Sequence, residues 1–151
     1  FVFLGGGIEV DRLKMKAKEQ SINNIIFLPP VSIDEVGTYL NSADALLVHL
    51  KQDPLFRITI PSKTQAYMSI GKPILMAVDG DAADIVREAE CGVIAESDNH
   101  DSIANAALML KDASKQEIKK MSDNGRQYYQ ENFSLRVGTN GFVTIFNRLM
   151  S

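Results

Sequence analysis

The stretch "IPSKTQAYMSIGKPILMAVDGDAADIV", residues 60–86, combines one helix, one strand and the start of a second helix. Pro61 suits the first helical position, because proline lacks the amide that a residue there would leave without an intrahelical partner. Gly71, followed closely by Pro73, predicts the end of this helix. The apolar run over residues 73–78 does not alternate with polar residues, which is typical of a strand buried on both faces. The stretch therefore predicts a helix–strand–helix unit of an α/β protein.

Similar apolar runs of strand length recur along the chain, and helical patterns separate them. Helices are predicted to start near Asp11, Ser32 and Asp81, each of which precedes apolar residues at helical spacing. Because short strands without alternation favour parallel pairing between helices, we expect a Rossmann-like, doubly wound α/β fold. The other predicted strands cover residues 1–4, 25–31, 45–50 and 92–96, and the last third of the chain predicts helices over residues 101–111, 114–132 and 135–150.

The 151 residues are predicted to form one domain, since 45% are hydrophobic, 23% are charged and no repeat or linker interrupts them. The chain opens on "FVFL", inside a predicted buried strand and without Met, which indicates a fragment of a longer protein. In the last predicted helix, Phe142, Phe146 and Leu149 recur at helical spacing. One face of that helix is therefore expected to dock on the rest of the protein or on a segment outside it.

Charge and composition argue against several classes of protein. The formal net charge of -3 argues against a broad nucleic-acid or anionic-membrane surface. The single cysteine, Cys91, leaves no internal disulfide framework, and His49 and His100 lack the spacing of metal ligands. No apolar run approaches the ~18 residues of a transmembrane helix. We therefore expect a cytoplasmic protein without a metal or a resident cofactor, whose anion sites are local.

The start of the helix in the quoted stretch carries a cation where the helix macrodipole favours an anion. Ser62 and Thr64 add hydroxyl groups beside backbone amides that have no intrahelical partner, and Lys63 adds an ammonium group. An anion bound at this position would compensate the unfavourable placement of the lysine. We therefore favour a phosphate or diphosphate site here over a lysine that merely bends into solvent.

Two earlier loops are weaker candidates for nucleotide contacts. Gly5, Gly6 and Gly7 follow the first predicted strand and allow the backbone to approach a ligand closely. They lack the spacing of the dinucleotide fingerprint, so a plain strand–helix turn is an equal alternative. Pro30 and Val31 end the second predicted strand in an extended segment, which either reads a nucleotide base or forms a rigid turn.

The loop that opens the second helix of the quoted stretch contains Asp79, Gly80, Asp81 and Ala82. Carboxylates in a first helical turn interact favourably with the helix macrodipole, so helix capping alone accounts for them. They are also suited to accept hydrogen bonds from sugar hydroxyls. Both interpretations stay open on the sequence.

The connection over residues 49–63 is long for an α/β protein and rich in charge. Connections of this length in compact domains are more often functional than accidental. Lys51 and Arg57 are candidates for neutralising phosphate charge, with simple exposure to solvent as the favoured alternative. His49 is expected to be a core or rim residue.

Several segments, taken in their order, resemble the C-terminal, donor-binding domain of GT-B glycosyltransferases of group 1, family four. These segments are "FLGGG", "NNIIFLPPVSIDEVGTYLNSADALLVHLK", "IPSKTQAYMSIGKPILM", "GDAADIVREAECGVI" and "RQYYQENFSLRV". The similarity spans nearly the whole chain and is most specific over residues 61–73. The members that it resembles most assemble bacterial surface polysaccharides and include the fucosaminyltransferases of O-antigen and capsule synthesis.

The resemblance implies an enzyme that transfers a hexose or aminosugar from a nucleotide donor, commonly a UDP-sugar, to a lipid-linked or saccharide acceptor. It implies an acceptor-binding domain outside these 151 residues, so the isolated domain is expected to bind its donor without turnover. The setting would be the cytoplasm or the inner face of the membrane. The implied contacts are Gly5, Gly6 and Gly7 near the diphosphate, Pro30 and Val31 at the base, Ser62, Lys63 and Thr64 at phosphate or ribose, and Asp79, Gly80, Asp81 and Ala82 at the donor sugar.

The chain also departs from the pattern that it resembles. Many relatives carry two glutamates at the positions that Ile58 and Ala66 occupy here, so the contacts of those glutamates with ribose and sugar hydroxyls do not carry over. The relatives also clamp the diphosphate with a basic pair in a segment preceding the one that begins at Phe1. No catalytic residue is assigned within this chain.

Two other functions are weighed beside the transferase. A sugar-nucleotide epimerase of the same architecture would need paired acid and base carboxylates, and none is found near the glycine loop. The other is a nicotinamide-binding or pure interaction domain. Nicotinamide binding would be expected to show the fingerprint glycines and an acidic residue about 20 positions later, and neither is evident.

Overall fold

The computed structural model describes residues 1–150 and contains five strands, all in parallel pairs. Strand β1 pairs with β2 in one sheet, and β3, β4 and β5 form a second sheet in that order. The strands are β1 (Val2–Leu4), β2 (Ile26–Leu28), β3 (Leu46–His49), β4 (Ile74–Ala77) and β5 (Gly92–Ile94). The parallel pairing that the sequence predicts is confirmed, and the ladders lie in two hydrogen-bonded sheets.

Helices separate the strands and form the last third of the described chain. The predicted helix over residues 114–132 is one α-helix followed by a π-helical turn, Tyr129–Phe133. The α-helices are α1 (Val10–Glu19), α2 (Ile33–Ser42), α3 (Pro54–Arg57), α4 (Ser62–Ile70), α5 (Asp81–Glu88), α6 (His100–Asp112), α7 (Lys115–Tyr128) and α8 (Leu135–Met150). Among residues 1–150, none of these helices is both long enough and apolar enough to cross a membrane.

The described chain divides into two compact units, Phe1–Tyr39 and the residues from Leu40 onward. The single domain expected from composition stays a prediction, and Ser151, its last residue, lies outside the described residues.

The first unit has no fully buried residue. The prediction that residues 1–4 are buried on both faces is wrong, because Val2 is 59% and Phe3 43% exposed. A face of a sheet is buried only where other elements pack on it, and a sheet of two short strands leaves much of both faces open.

Strand β4 is the centre of the second unit, and all four of its residues are buried. Ile74 and Met76 face a cluster built with α4 and α5, whereas Leu75 and Ala77 face a second cluster built with α6. Alternate residues of a strand point to opposite faces, so helices must cover both sides of this strand. The burial on both faces that the apolar run predicts is confirmed for β4.

Helix α4 is held at its carboxyl end by a contact that is distant in sequence. Gly71 adopts the left-handed conformation with φ 71°, as predicted for the residue that ends the helix. Arg126 of α7 packs over Gly71 and donates a hydrogen bond of 3.0 Å from its guanidinium to the carbonyl of Ile70. This contact satisfies one of the last carbonyls of α4, which have no intrahelical partner.

One predicted helix starts one residue later than expected, and another is less buried than expected. Pro61 is the N-cap of α4, with ψ 133°, and Ser62 is the first helical residue. An N-cap residue has extended backbone angles, which explains the shift by one position. Helix α8 has no buried residue, and Phe142, Phe146 and Leu149 are exposed. Within the described residues, the docking face predicted for this helix is therefore left uncovered.

Replacing Met68 by Ala is expected to lower the free energy of unfolding by about 2–5 kcal/mol. Met68 is fully buried in the cluster between α4 and β4, so truncation leaves a cavity. Chemical denaturation followed by circular dichroism measures the change. The matched control is Met109→Ala on α6, where the side chain is 61% exposed and a loss below about 0.5 kcal/mol is expected. Equal losses in the two variants would contradict this assignment of the core.

The thiol of Cys91 is expected to be unreactive in the folded chain. The residue is fully buried, and desolvation raises the pKa of its thiol to about 11. The reactive thiolate is therefore scarce at pH 8, and it is also inaccessible. Titration with Ellman's reagent at pH 8 should detect one thiol only after denaturant is added. Rapid reaction of the native chain would contradict this burial.

Candidate functional site

The carboxyl ends of β3, β4 and β5 lie at one edge of their sheet, because the strands are parallel and in register. The chain leaves β4 for α5 at this edge. Helix α4 leads back into β4 through a turn of three residues, so its amino end also points to this edge. Ligands of open parallel sheets bind outside the carboxyl ends of the strands. This edge is the candidate site of the second unit.

The amino end of α4 has unused backbone donors. Pro61 makes no side-chain cap, and no acidic residue lies in the first turn. The amides of Ser62 and Lys63 precede the first intrahelical hydrogen bond, and nothing within residues 1–150 accepts from them. The amide of Thr64 is different, because it donates to the carbonyl of Pro61 at 2.8 Å. A tight first turn therefore uses the amide of Thr64, and the free amides are those of Ser62 and Lys63.

The side chain of Lys63 is exposed at this helix end. Within the described residues, no carboxylate lies within 4.0 Å of its ammonium group. The two depressions described for the second unit are lined by other residues, so Lys63 stands at the surface and not inside either of them. The positive end of the helix macrodipole repels a cation at this position. An anion bound here would interact favourably with both positive charges.

Thr64 lies one residue further along α4 and is fully buried. Its hydroxyl Oγ1 has no hydrogen-bond partner, and among residues 1–150 it is the only buried side-chain oxygen or nitrogen in this condition. Side chains of a helix lean towards its amino end, so Cβ of Thr64 lies towards the end where the free amides are. Buried polar groups without a partner are rare in folded proteins and often mark a functional position.

The turn between β4 and α5 is fixed by its contacts. Gly80 has φ 83°, and a Cβ added to it would lie 2.0 Å from the carbonyl oxygen of Arg57. Only glycine allows this approach. Asp79 accepts a hydrogen bond of 2.7 Å from the hydroxyl of Ser97, which follows β5. Asp81 is exposed in the first turn of α5 and Ala82 is buried behind it.

The long connection over residues 49–63 contains the short helix α3, which the sequence did not predict. Asp53 caps this helix by accepting from the amide of Leu55 at 2.8 Å, and Pro54 is its first residue. The amide of Gln52 donates to the carboxylate of Asp98 at 2.5 Å, so the connection is tied to the loop after β5. The Asp-Pro pair was the available signal for α3, because it combines a good N-cap with a proline at the first helical position.

A shallow depression lies at this edge, between the connection and the ends of β4 and β5. Ser97 and Asp98 of the loop after β5 were not predicted as site residues, although their position directly after a strand was the signal that could have found them. His49 approaches Asp98 at 4.0 Å and is partly exposed, as expected of a rim residue. The lining residues are Lys51, Gln52, Asp53, Phe56, Arg57, Val78, Asp79 and Ser97.

In the first unit, the structure brings the glycine loop and the proline segment together. A Cβ added to Gly6 would lie 3.2 Å from Cγ of Pro30, and the amide of Gly5 donates to the carbonyl of Leu28 at 3.1 Å. Gly5 has φ 137°, a conformation that favours glycine. Gly7 is exposed and Val31 half-buried beside them. These residues form a small backbone-rich surface at the carboxyl ends of β1 and β2.

Within the described part of the chain, no group of three or more His, Cys, Asp or Glu side chains is arranged to hold a metal ion.

Comparison with known proteins was made for both the sequence and the fold. The family model of glycosyl transferases group 1 matches residues 1–128. A probable glycosyltransferase of Pseudomonas aeruginosa, WbjE, is 28% identical over 152 residues, which cover the whole of this chain and 37% of that protein.

Two solved structures share the fold of this chain. A sucrose-phosphate synthase from Thermosynechococcus elongatus superposes with a TM-score of 0.80 at 18% identity, over 99% of this chain and 38% of its own. HepE from Anabaena, in a complex with UDP, superposes with a TM-score of 0.77 at 15% identity, over 97% of this chain and 40% of its own. The Rossmann-like fold expected for one half of a GT-B glycosyltransferase is thereby confirmed.

The chain spans less than half the length of each of these proteins. Its match to the family model nevertheless covers most of its residues. The chain therefore belongs to the glycosyl transferases of group 1.

Proposed function

We propose that this chain binds the nucleotide-sugar donor of a glycosyltransferase, with the donor's phosphates at the amino end of α4. The observation that carries the proposal is the combination of free amides at Ser62 and Lys63, an unpaired ammonium at Lys63 and a buried, unpartnered hydroxyl at Thr64. A phosphate group has enough acceptor oxygens to satisfy all of these donors. A helix amino end is also a favourable environment for its charge.

The donor that we propose is a UDP-sugar carrying a hexose or an aminosugar. The complex of HepE with UDP supports a uridine nucleotide, since that protein shares the fold of this chain. The acceptor that we propose is a lipid-linked or saccharide intermediate of bacterial surface polysaccharide synthesis, as the resemblance to O-antigen and capsule enzymes implies. Membership of the transferase family favours transfer over sugar-nucleotide epimerisation and over nicotinamide binding.

In this proposal the chain contributes mainly electrostatic stabilisation. When the bond between the sugar and the diphosphate breaks, negative charge accumulates on the leaving phosphate. Lys63 and the amides at the start of α4 would stabilise that charge. Asp79 and Asp81 would accept hydrogen bonds from hydroxyls of the donor sugar. The isolated chain is expected to bind the donor without turnover.

Replacing Lys63 by Gln is expected to weaken UDP binding about tenfold or more. The substitution removes a charge-assisted hydrogen bond to phosphate, which typically contributes about 1.5–3 kcal/mol. Isothermal titration calorimetry at low ionic strength measures the affinity. Lys115→Gln is the matched control, because Lys115 is also an exposed lysine in a first helical turn, but its helix has a complete capping box. Unchanged affinity in the Lys63 variant would defeat the phosphate site.

Replacing Thr64 by Val is expected to stabilise the free chain and weaken its binding of UDP. Valine has the same shape and removes a buried hydroxyl without a partner, which costs about 1–3 kcal/mol in the free state. Denaturation and calorimetry measure the two effects, with Thr64→Ser as the variant that retains the hydroxyl. A valine variant that binds UDP as tightly as the wild type would show that the hydroxyl does not meet the ligand.

A further inference from the structure

Asp79, which follows β4, has hydrogen-bonding capacity that the described residues leave unused. Its carboxylate is half-buried, and Oδ2 accepts a hydrogen bond of 2.7 Å from the hydroxyl of Ser97. Within residues 1–150, Ser97 is the one donor to this carboxylate, and no cation lies within 4.0 Å of it. An ionised carboxylate accepts about four hydrogen bonds on its two oxygens. Oδ1 of Asp79 is therefore available to a ligand.

The backbone that carries Ser97 is held on both sides. On one side, the amide of Glu96 donates to the hydroxyl of Ser102 at 3.0 Å, which joins this loop to α6. On the other side, Asp98 accepts from the amide of Gln52 at 2.5 Å, which joins the loop to the connection after β3. The hydroxyl of Ser97 therefore reaches Asp79 from a backbone that is itself fixed.

The backbone of Asp79 is also held, but its side chain depends on Ser97. Val78 before it is buried, and the carbonyl of Arg57 packs closely against Gly80 after it. A carboxylate on a fixed backbone can still rotate about two side-chain torsions, and each orientation directs its oxygens differently. Among residues 1–150, the hydrogen bond from Ser97 is the one polar contact that selects a single orientation.

We infer that Ser97 is a positioning residue for the donor sugar. Its hydroxyl holds Oδ2 of Asp79, so that Oδ1 accepts a hydrogen bond from a hydroxyl group of the sugar. The inference rests on the proposed function, because it deepens the contact proposed there between Asp79 and the sugar. A carboxylate that is oriented before binding loses less entropy when the ligand arrives. The phosphates bind at α4 in this assignment, so Ser97 affects recognition of the sugar and not of the nucleotide.

The experiment compares UDP with a UDP-sugar in calorimetric titrations of the full chain. The sugar probe is whichever of UDP-glucose and UDP-N-acetylglucosamine the wild type binds more tightly. Ser97→Ala is expected to weaken binding of the UDP-sugar about three- to tenfold, the effect of one side chain that must be ordered on binding, and to change UDP affinity less than about twofold. Ser97→Thr retains the hydroxyl and should restore the affinity for the UDP-sugar.

Two further variants test whether Ser97 acts through Asp79. Asp79→Ala should weaken the UDP-sugar and leave UDP unchanged, and adding Ser97→Ala to it should cause no further loss. Ser102→Ala is the matched control, because Ser102 is also half-buried and bonds the same loop, but to the amide of Glu96. This control should leave both affinities unchanged.

The possible results separate the inference from the proposed function. If Asp79→Ala weakens the UDP-sugar and Ser97→Ala does not, the inference is overturned and the contact of Asp79 with the sugar stands. A further loss from Ser97→Ala in the Asp79→Ala background would also overturn it, because the hydroxyl would then act on the ligand directly. So would equal losses for UDP and the UDP-sugar.

Two results concern the wider proposal. If Asp79→Ala leaves the affinity for the UDP-sugar unchanged, both the sugar contact and the inference are overturned, whereas phosphate binding at α4 stands. A wild-type chain that binds neither UDP nor the UDP-sugars would refute the proposed function, and the inference with it.

Discussion

Burial of β4 on both faces is the constraint on which the candidate site depends. Its residues alternate between two apolar clusters, so a shift in register by one position would move Ile74 and Met76 to the wrong side. The strand is therefore fixed along its axis, and the elements joined to its two ends are fixed with it. At one end Gly71 connects it to α4, and at the other Gly80 connects it to α5. The burial of four apolar side chains thereby positions polar groups at the carboxyl edge.

Charge at that edge follows a consistent arrangement. The carboxylates of Asp53, Asp79 and Asp98 accept hydrogen bonds from groups of these loops. In contrast, Lys51, Arg57 and Lys63 have no carboxylate within 4.0 Å among residues 1–150. Free amides and a buried, unpaired hydroxyl at the start of α4 add donors without acceptors. These donors at the start of α4 form the local anion site that we propose on a chain of net charge -3.

Much of this arrangement was predictable because it rests on local signals. Gly71 and Pro73, which precede β4, marked the end of α4, and the apolar run marked the strand. The prediction was less accurate where the burial of a strand depends on other elements that pack against it. The run over residues 1–4 has the composition of a buried strand, yet Val2 and Phe3 are exposed, because their two-stranded sheet lacks covering elements. The turn of π-helix after α7 has no sequence signal that distinguishes it from a continuing α-helix.

The sequence by itself determined the class of fold, the parallel strands, the candidate helix end at Lys63 and the resemblance to group 1 glycosyltransferases. These conclusions need only periodicity, turn residues and motif order, all of which are local properties of the chain. Only the tertiary structure decided that Thr64 is buried without a partner, that Ser97 holds Asp79, and that the carbonyl of Arg57 packs on Gly80. The last two contacts join residues from different loops, and the burial of Thr64 depends on neighbours outside its own helix, which spacing along one sequence does not specify.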